Sequence, residues 1–411
     1  MIKRVNLKMK KLFYFVIFVT LISAFLPIIV SCPQEKVLSD PVIPKEALNF
    51  VRSMGFAVNV GNSFDSLNTG NIAGETGWGN PMVSREYIKS LRADGFKTVR
   101  LPVSWVDYMG PAPDYTIEES WMARIETVVN WILAEDMYCI INLHHDGGGS
   151  FNSEGYIHPK YWIKQISIPG REEEITDRFA KVWLQIATRF KDAPDRLILE
   201  AMNEIGFDGI WNRWGGANTP QSLAAKTEAY RLVNKLNQTF VESVRSTGSN
   251  NENRYLLVSG YWTDIDCTVD PAFRLPADTA ENKLLLSVHF YDPYLFTMQQ
   301  SVSWGILPRD KLQIENQLKK LKKPFLDRGI PVIVGEFAAV VRYQSVVKDP
   351  NSRQAWMLYV AQTCLDLNMC PALWDTGMRS GNYGMADVGR IFPFAISDNL
   401  TYVFNNIVYP E

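Results

Sequence analysis

Leu197-Ile198-Leu199-Glu200-Ala201-Met202-Asn203-Glu204 and Pro331-Val332-Ile333-Val334-Gly335-Glu336-Phe337 are two short apolar runs, each delivering a glutamate near its end. Runs this short, rich in Val, Ile and Leu, have the pattern of strands buried on both faces, as in a parallel sheet covered by helices. In such folds the chemistry sits at the C-terminal ends of the strands, so each run brings a carboxylate to the working face.

Working outward, similar runs occur at Ala57 to Val60, Thr98 to Pro102, Tyr138 to Leu143, Tyr255 to Ser259, Leu284 to Phe290 and Pro371 to Trp374. With Leu197 to Met202 and Val332 to Gly335 they make eight. Amphipathic stretches alternate with them: Ser84 to Ala93, Ile117 to Glu135, Glu172 to Phe190, Ala224 to Thr247, Lys311 to Asp327, Pro350 to Asn368 and Ser397 to Ile407. This alternation predicts right-handed βαβ units, and eight of them close into a single α/β domain, a (β/α)₈ TIM barrel. Gly260 to Lys283 has no helical pattern. An open doubly wound sheet is the alternative architecture, but its Gly-rich phosphate loop after the first strand is missing. Long segments follow several strands, at Gly61 to Pro81, Asp146 to Gly170, Gly206 to Ser222 and Asp375 to Pro393. Loops of this length usually serve binding, and their Trp, Gly, Asn and Tyr content suits a cleft for an extended polar polymer.

The chain of 411 residues is 46% hydrophobic and 12% aromatic, with 12 Trp, enough for one large core. Its beginning reads as a targeting signal. Lys3, Arg4, Lys8, Lys10 and Lys11 precede an almost wholly apolar stretch from Leu12 to Ser31, which ends in Ile29-Val30-Ser31-Cys32. An apolar residue three before a cysteine, with Ser immediately before it, resembles a bacterial lipobox. That pattern implies a signal peptide over 1–31, lipid attachment at Cys32, a Pro-containing tether over 32–46 and a catalytic domain over 47–411. The expected location is the cell surface or outer membrane, with the membrane contacted through the lipid; an uncleaved anchor and plain secretion are the alternatives. Removing residues 1–31 takes away five basic and no acidic residues, moving the formal charge from −2 to −7. An acidic chain without basic clusters excludes nucleic acid as the expected partner. The one basic run, Lys319-Lys320-Leu321-Lys322-Lys323, reads as a solvated face near a helix C-terminus. Cys139, Cys267, Cys364 and Cys370 have no metal-ligand spacing, so no structural zinc is expected.

Polar side chains fall where six of the eight strands end: Arg100, His144, Asn203 with Glu204, His289 with Tyr291, Glu336, and Trp374. Such groups are costly to bury unless they are paired or used. Two carboxylates facing one cleft are the minimal apparatus for breaking a glycosidic bond.

In chain order, Gly61-Asn62-Ser63-Phe64-Asp65, Glu75-Thr76-Gly77-Trp78-Gly79-Asn80-Pro81, Val99-Arg100-Leu101-Pro102-Val103, Asn142-Leu143-His144-His145-Asp146, Met202-Asn203-Glu204, Val288-His289-Phe290-Tyr291-Asp292-Pro293, Gly335-Glu336-Phe337 and Leu373-Trp374-Asp375 resemble glycoside hydrolase family 5. The likeness spans residues 47 to about 408 and lies nearest the endoglucanase and xyloglucanase branch of that family. It implies a retaining enzyme acting on β-linked polysaccharide, without cofactor or metal, with Glu336 as nucleophile and Glu204 as acid and then base. It also implies that Arg100 and Tyr291 hold Glu336, that Asn203 bonds the sugar 2-hydroxyl, that His144 and His289 flank the carboxylates, and that Trp374 forms the sugar floor. Asn62 and Asp65 are candidate glycone contacts, and Trp78 is a candidate sugar platform. Trp105, Trp162, Trp211, Trp214, Trp262 and Trp304 are further candidate platforms, of which two or three are expected to serve. Strand alternation predicts that His145 points away from His144. The alternatives are a β-mannanase on the same scaffold and a surface glycan-binding barrel without catalysis. A monomer is the expected state.

Overall fold

The computed structural model describes residues 45–410 apart from 69–73, 148–159, 208, 213–218, 300–302, 306, 341–350 and 378–384. The predicted signal segment, Cys32, most of the tether, His158 and Trp214 lie outside the described residues. Residues 45 and 46, expected in the tether, belong instead to a helix, Lys45–Met54.

Eight parallel strands form a closed barrel: β1 (Ala57–Asn59), β2 (Thr98–Leu101), β3 (Tyr138–Asn142), β4 (Leu197–Glu200), β5 (Leu256–Ser259), β6 (Leu284–Phe290), β7 (Val332–Phe337) and β8 (Cys370–Leu373). Each pairs with its chain neighbours, and β1 closes the ring on β8. Helices Arg85–Asp94, Glu119–Ala134, Glu172–Phe190, Leu223–Arg245, Pro308–Lys319, Asn351–Asp366 and Asp398–Asn406 alternate with the strands. Between β5 and β6, where no helical pattern was read, there are only a short 3₁₀ turn, Tyr261–Thr263, and one α turn, Ile265–Thr268. Pro271 and Pro276 keep the rest of that segment out of a helix. Lys319, Lys320, Lys322 and Lys323 are exposed at the end of their helix, as expected.

The strand interiors make two layers inside the barrel. At the bottom, Ala57, Ile140, Ile198, Leu257, Leu285, Ile333 and Ala372 form an apolar cluster, completed by Ala47, Val51 and Met54 of the N-terminal helix. That helix is tied on by the Thr98 hydroxyl, which donates to the Met54 carbonyl at 2.7 Å. Successive side chains on a strand alternate faces, so the next inward position on each strand is two residues on. These positions hold Asn59, Arg100, Asn142, Glu200, Ser259 and Ser287, all at most 1% exposed. The barrel therefore has an apolar floor and a polar storey above it, and the mouth lies above that.

One strand departs from alternation. Ile333 faces inward, so the period-two rule would turn Gly335 inward and Glu336 outward. The β6–β7 register instead shifts between Val288↔Val334 and His289↔Glu336, leaving Gly335 unpaired. This is a β-bulge, and it swings Glu336 into the barrel beside His289. A Cβ at position 335 would lie 3.1 Å from Ser287 Oγ and 3.3 Å from His289 Nε2, which is why glycine stands there.

Because the floor is tightly packed, Ile198→Ala is expected to cost roughly 2–5 kcal/mol of unfolding free energy. Chemical denaturation should show that loss, with kcat per folded molecule unchanged.

Candidate active site

Arg100 is the centre of the polar storey and is fully buried. Its Nε donates to Glu200 Oε2 at 2.7 Å, Nη1 donates to Asn59 Oδ1 and to Glu336 Oε1 at 2.9 Å each, and Nη2 donates to Asn203 Oδ1 at 2.9 Å. Glu200 also accepts from Asn142 Nδ2 at 3.1 Å and from Ser287 Oγ at 2.8 Å. Asn59 Nδ2 donates to the Gly335 carbonyl at 2.8 Å, which ties the bulge to β1. Glu200 and Asn59 were not singled out from the sequence. The signal was available, since both are charged or amide residues inside a strand run two positions above an apolar inward residue.

The two glutamates are held differently. Glu336 is 5% exposed and receives a donor on each oxygen, Arg100 on Oε1 and the Tyr291 hydroxyl on Oε2 at 2.9 Å. Glu204 is more open and meets His289 Nδ1 at 2.9 Å. The same nitrogen lies 3.5 Å from Glu336 Oε2. One oxygen of each carboxylate and a ring nitrogen of His289 all lie within 4.8 Å of one another. Burial raises the Glu336 carboxyl from its ordinary value, while His289, Arg100 and the Tyr291 hydrogen bond pull it back. Arg100 does lower it, as a nearby cation should, without outweighing burial. The guanidinium is divided between Glu200 and Glu336, which leaves desolvation the larger effect. The Tyr291 hydroxyl, buried against Glu336, is raised well above the usual tyrosine range and stays a donor.

His144 is 2% exposed, and burial pushes it well below the usual histidine range, so it is neutral. Asn142 offers Nδ2 to His144 Nδ1 at 3.2 Å while its Oδ1 accepts from the Val103 amide. That fixes the amide orientation and leaves the imidazole proton on Nε2. The His144 ring is parallel to Trp374, at 3° with centroids 5.6 Å apart. Trp374 is half-buried at the mouth, and its ring edge covers Gly61, where a Cβ would lie 2.9 Å from Cζ2 and Cη2.

His145 corrects the alternation argument. β3 ends at Asn142, so the two histidines lie on a turn and their rings meet at 4.6 Å. Asp65, His144 and His145 each place one polar atom within 4.8 Å of the others. With its proton on Nε2 and Nδ1 engaged by Asn142, His144 is a poor metal ligand, and that cluster fits hydrogen bonding better. Trp78 is half-buried with its ring 5.3 Å from His145, and Asn62, also half-buried, sits beside Gly61 in left-handed backbone at φ 55°. Most of the other candidate tryptophan platforms are core residues. Trp105, Trp162, Trp211, Trp262 and Trp304 are all at most 8% exposed. Trp105 Nε1 donates to the Asn142 carbonyl and Trp162 Nε1 to Asp146 Oδ1, so two of them brace the loop that follows β3.

Two carboxylates this close at the mouth of a (β/α)₈ barrel can act on opposite sides of one acetal carbon, the work of a glycoside hydrolase. Residues 59–378 match the family model for cellulase, glycosyl hydrolase family 5, and the chain belongs to that family. It is 34% identical over 365 residues to endoglucanase A of Paenibacillus barcinonensis, covering 84% of this chain and 86% of that protein. A xyloglucan-specific endo-β-1,4-glucanase of Bacteroides ovatus is 33% identical, with 79% of this chain and 64% of that protein covered. Among solved structures, a broad-specificity endoglucanase of Bacteroides salanitronis superposes with a TM-score of 0.76 at 33% identity, over 90% of this chain and 96% of that one. The protein is thus a glycoside hydrolase of the endo-β-1,4-glucanase type.

Removing one partner of a buried ion pair strands the other. Glu200→Ala is therefore expected to lower unfolding free energy by roughly 3–5 kcal/mol. An unchanged urea midpoint would show that Arg100 does not depend on Glu200.

Proposed function

We propose that the protein is a retaining endo-β-1,4-glucanase in which Glu336 attacks the anomeric carbon and Glu204 protonates the leaving oxygen, then activates water. The observation that carries this reading is the unequal treatment of the two carboxylates. Glu336 is buried and has Arg100 and Tyr291 donating to it, one on each oxygen, whereas Glu204 is more open and meets His289, whose ring nitrogen also lies near Glu336. On this reading the charge of a singly protonated pair rests on Glu336, where two donors meet it, and the proton is carried by Glu204. A nucleophile and an acid are thereby distinguished. The 4.8 Å grouping supports retention, because inversion needs room for a water between the carboxylates.

As the bond to the leaving oxygen breaks, positive charge grows at the anomeric carbon next to Glu336, and the glycosyl-enzyme ester forms. Glu204, now ionised, takes a proton from the incoming water and the ester is cleaved. Asn203, held by Arg100, presents its amide where a 2-hydroxyl would lie, and Trp374 offers a flat face for the ring. The substrate class we infer is a β-1,4-glucan backbone: cellulose-like chains, mixed-linkage glucan or xyloglucan. Its support is that relatives are described as xyloglucan-specific, and that neighbouring structures include a lichenase bound to cellotetraose.

Glu204→Gln should lower kcat on soluble β-glucan by about 10²–10⁴-fold, and Glu336→Gln by at least as much. Wild-type rates in either variant would refute the role assignment, and release of α-anomeric product would refute retention. The acid limb of kcat/KM against pH should lie above 4.5, because the Glu336 carboxyl is raised from that value and acts only when ionised. Tyr291→Phe removes a donor to the charged form, which raises the carboxyl further, so the limb should move to higher pH. A limb that stays put or moves down would show that this hydroxyl does not hold the nucleophile.

A further inference from the structure

Glu204 lies four residues beyond the last residue of β4, so the sheet ladder does not hold it as β7 holds Glu336. Its backbone is supported from the end of β5. The Trp262 amide donates to the Ile205 carbonyl at 2.8 Å, and the Phe207 amide donates to the Tyr261 hydroxyl at 2.8 Å. The Trp262 ring lies directly against Gly206, where an added Cβ would come within 1.8 Å of Cε2. On the Trp262 ring sits Lys164 Nζ, 4.8 Å from the centroid. Tyr261 and Trp262 thus grip all three residues that follow Glu204. They do so from an unfavourable backbone: Trp262 has φ 59° and Thr263 φ 51°, left-handed values that aromatic and β-branched residues rarely adopt. Such strain persists only where surrounding contacts over-determine it, and it clusters at functional sites.

We propose that Tyr261 and Trp262 form a clamp that positions Glu204 for proton transfer, with Gly206 as the seat that admits the indole. This rests on the reading of Glu204 as acid/base. Trp262 is a positioning residue and touches no reacting atom. The clamp acts on the acid's backbone and leaves Glu336 alone, so its loss should affect steps that need the proton and spare those that do not.

The test compares kcat/KM for two aryl β-cellobiosides, one with a dinitrophenolate leaving group that departs unprotonated and one with phenolate, which needs the acid. Trp262→Ala should cost the phenyl substrate about 10²-fold, as for a misplaced catalytic group, and the dinitrophenyl substrate less than about threefold. Tyr261→Phe, which deletes one hydroxyl only, should show the same selectivity at smaller size if Trp262→Ala does not fold. Trp262→Phe should recover most of the phenyl activity. Equal losses on both substrates would reduce the clamp to general packing and overturn the proposal. Glu204→Gln measured alongside separates the two claims: if it also loses both substrates equally, the acid/base reading fails. If it is selective while the clamp variants are not, only the clamp fails.

Discussion

A guanidinium without solvent contact must have its charge answered, and Arg100 is answered by two carboxylates on different strands. Glu200 of β4 and Glu336 of β7 both accept from it, while Asn59 and Asn203 each accept one further N–H bond. Burying three charges is tolerable only because nearly every donor and acceptor in the group is satisfied within it. The storey is consequently both the middle of the core and the support of Glu336, the proposed nucleophile. Any movement of Glu336 disturbs Arg100, and through it Glu200, Asn142 and Asn203. The reacting group is held by the same bonds that hold the barrel's centre.

The electrostatic outcome follows from that sharing. A cation beside Glu336 lowers its pKa, but Arg100 also serves Glu200, and burial prevails. On the proposed reading Glu336 is ionised at a cost, which suits a nucleophile that must give up its charge to form an ester. His289 stands between the two glutamates with one nitrogen close to both, so a change of charge on either is felt by the other.

Much of this was legible in the sequence, because it follows from short-range rules. All eight strands were placed within a few residues, and the helix Glu172–Phe190 was placed with its observed bounds. Arg100, His144, Asn203, Glu204, His289, Tyr291, Glu336 and Trp374 do converge, since a parallel barrel gathers its strand ends. What escaped were matters of register and depth. Glu200 lay in plain view but inside a run read as apolar. The inward turn of Glu336 depends on a bulge that no period-two pattern announces. Trp162 and Trp211 sit in segments that look like binding loops, yet their rings are buried, because a large βα loop needs a core of its own. The pairing of His144 with His145 was misjudged because strand geometry was carried past Asn142, where the strand has stopped.

Gly335 makes the position of the nucleophile a matter of counting. The bulge at this glycine is what turns Glu336 from the helix layer to the cavity. A regular ladder that paired Gly335 would restore even alternation and point the carboxylate outward, with the eight-stranded ring still able to close. Reactivity on this scaffold thus hangs on one step of strand register, and a barrel with every one of these side chains present would be silent without it.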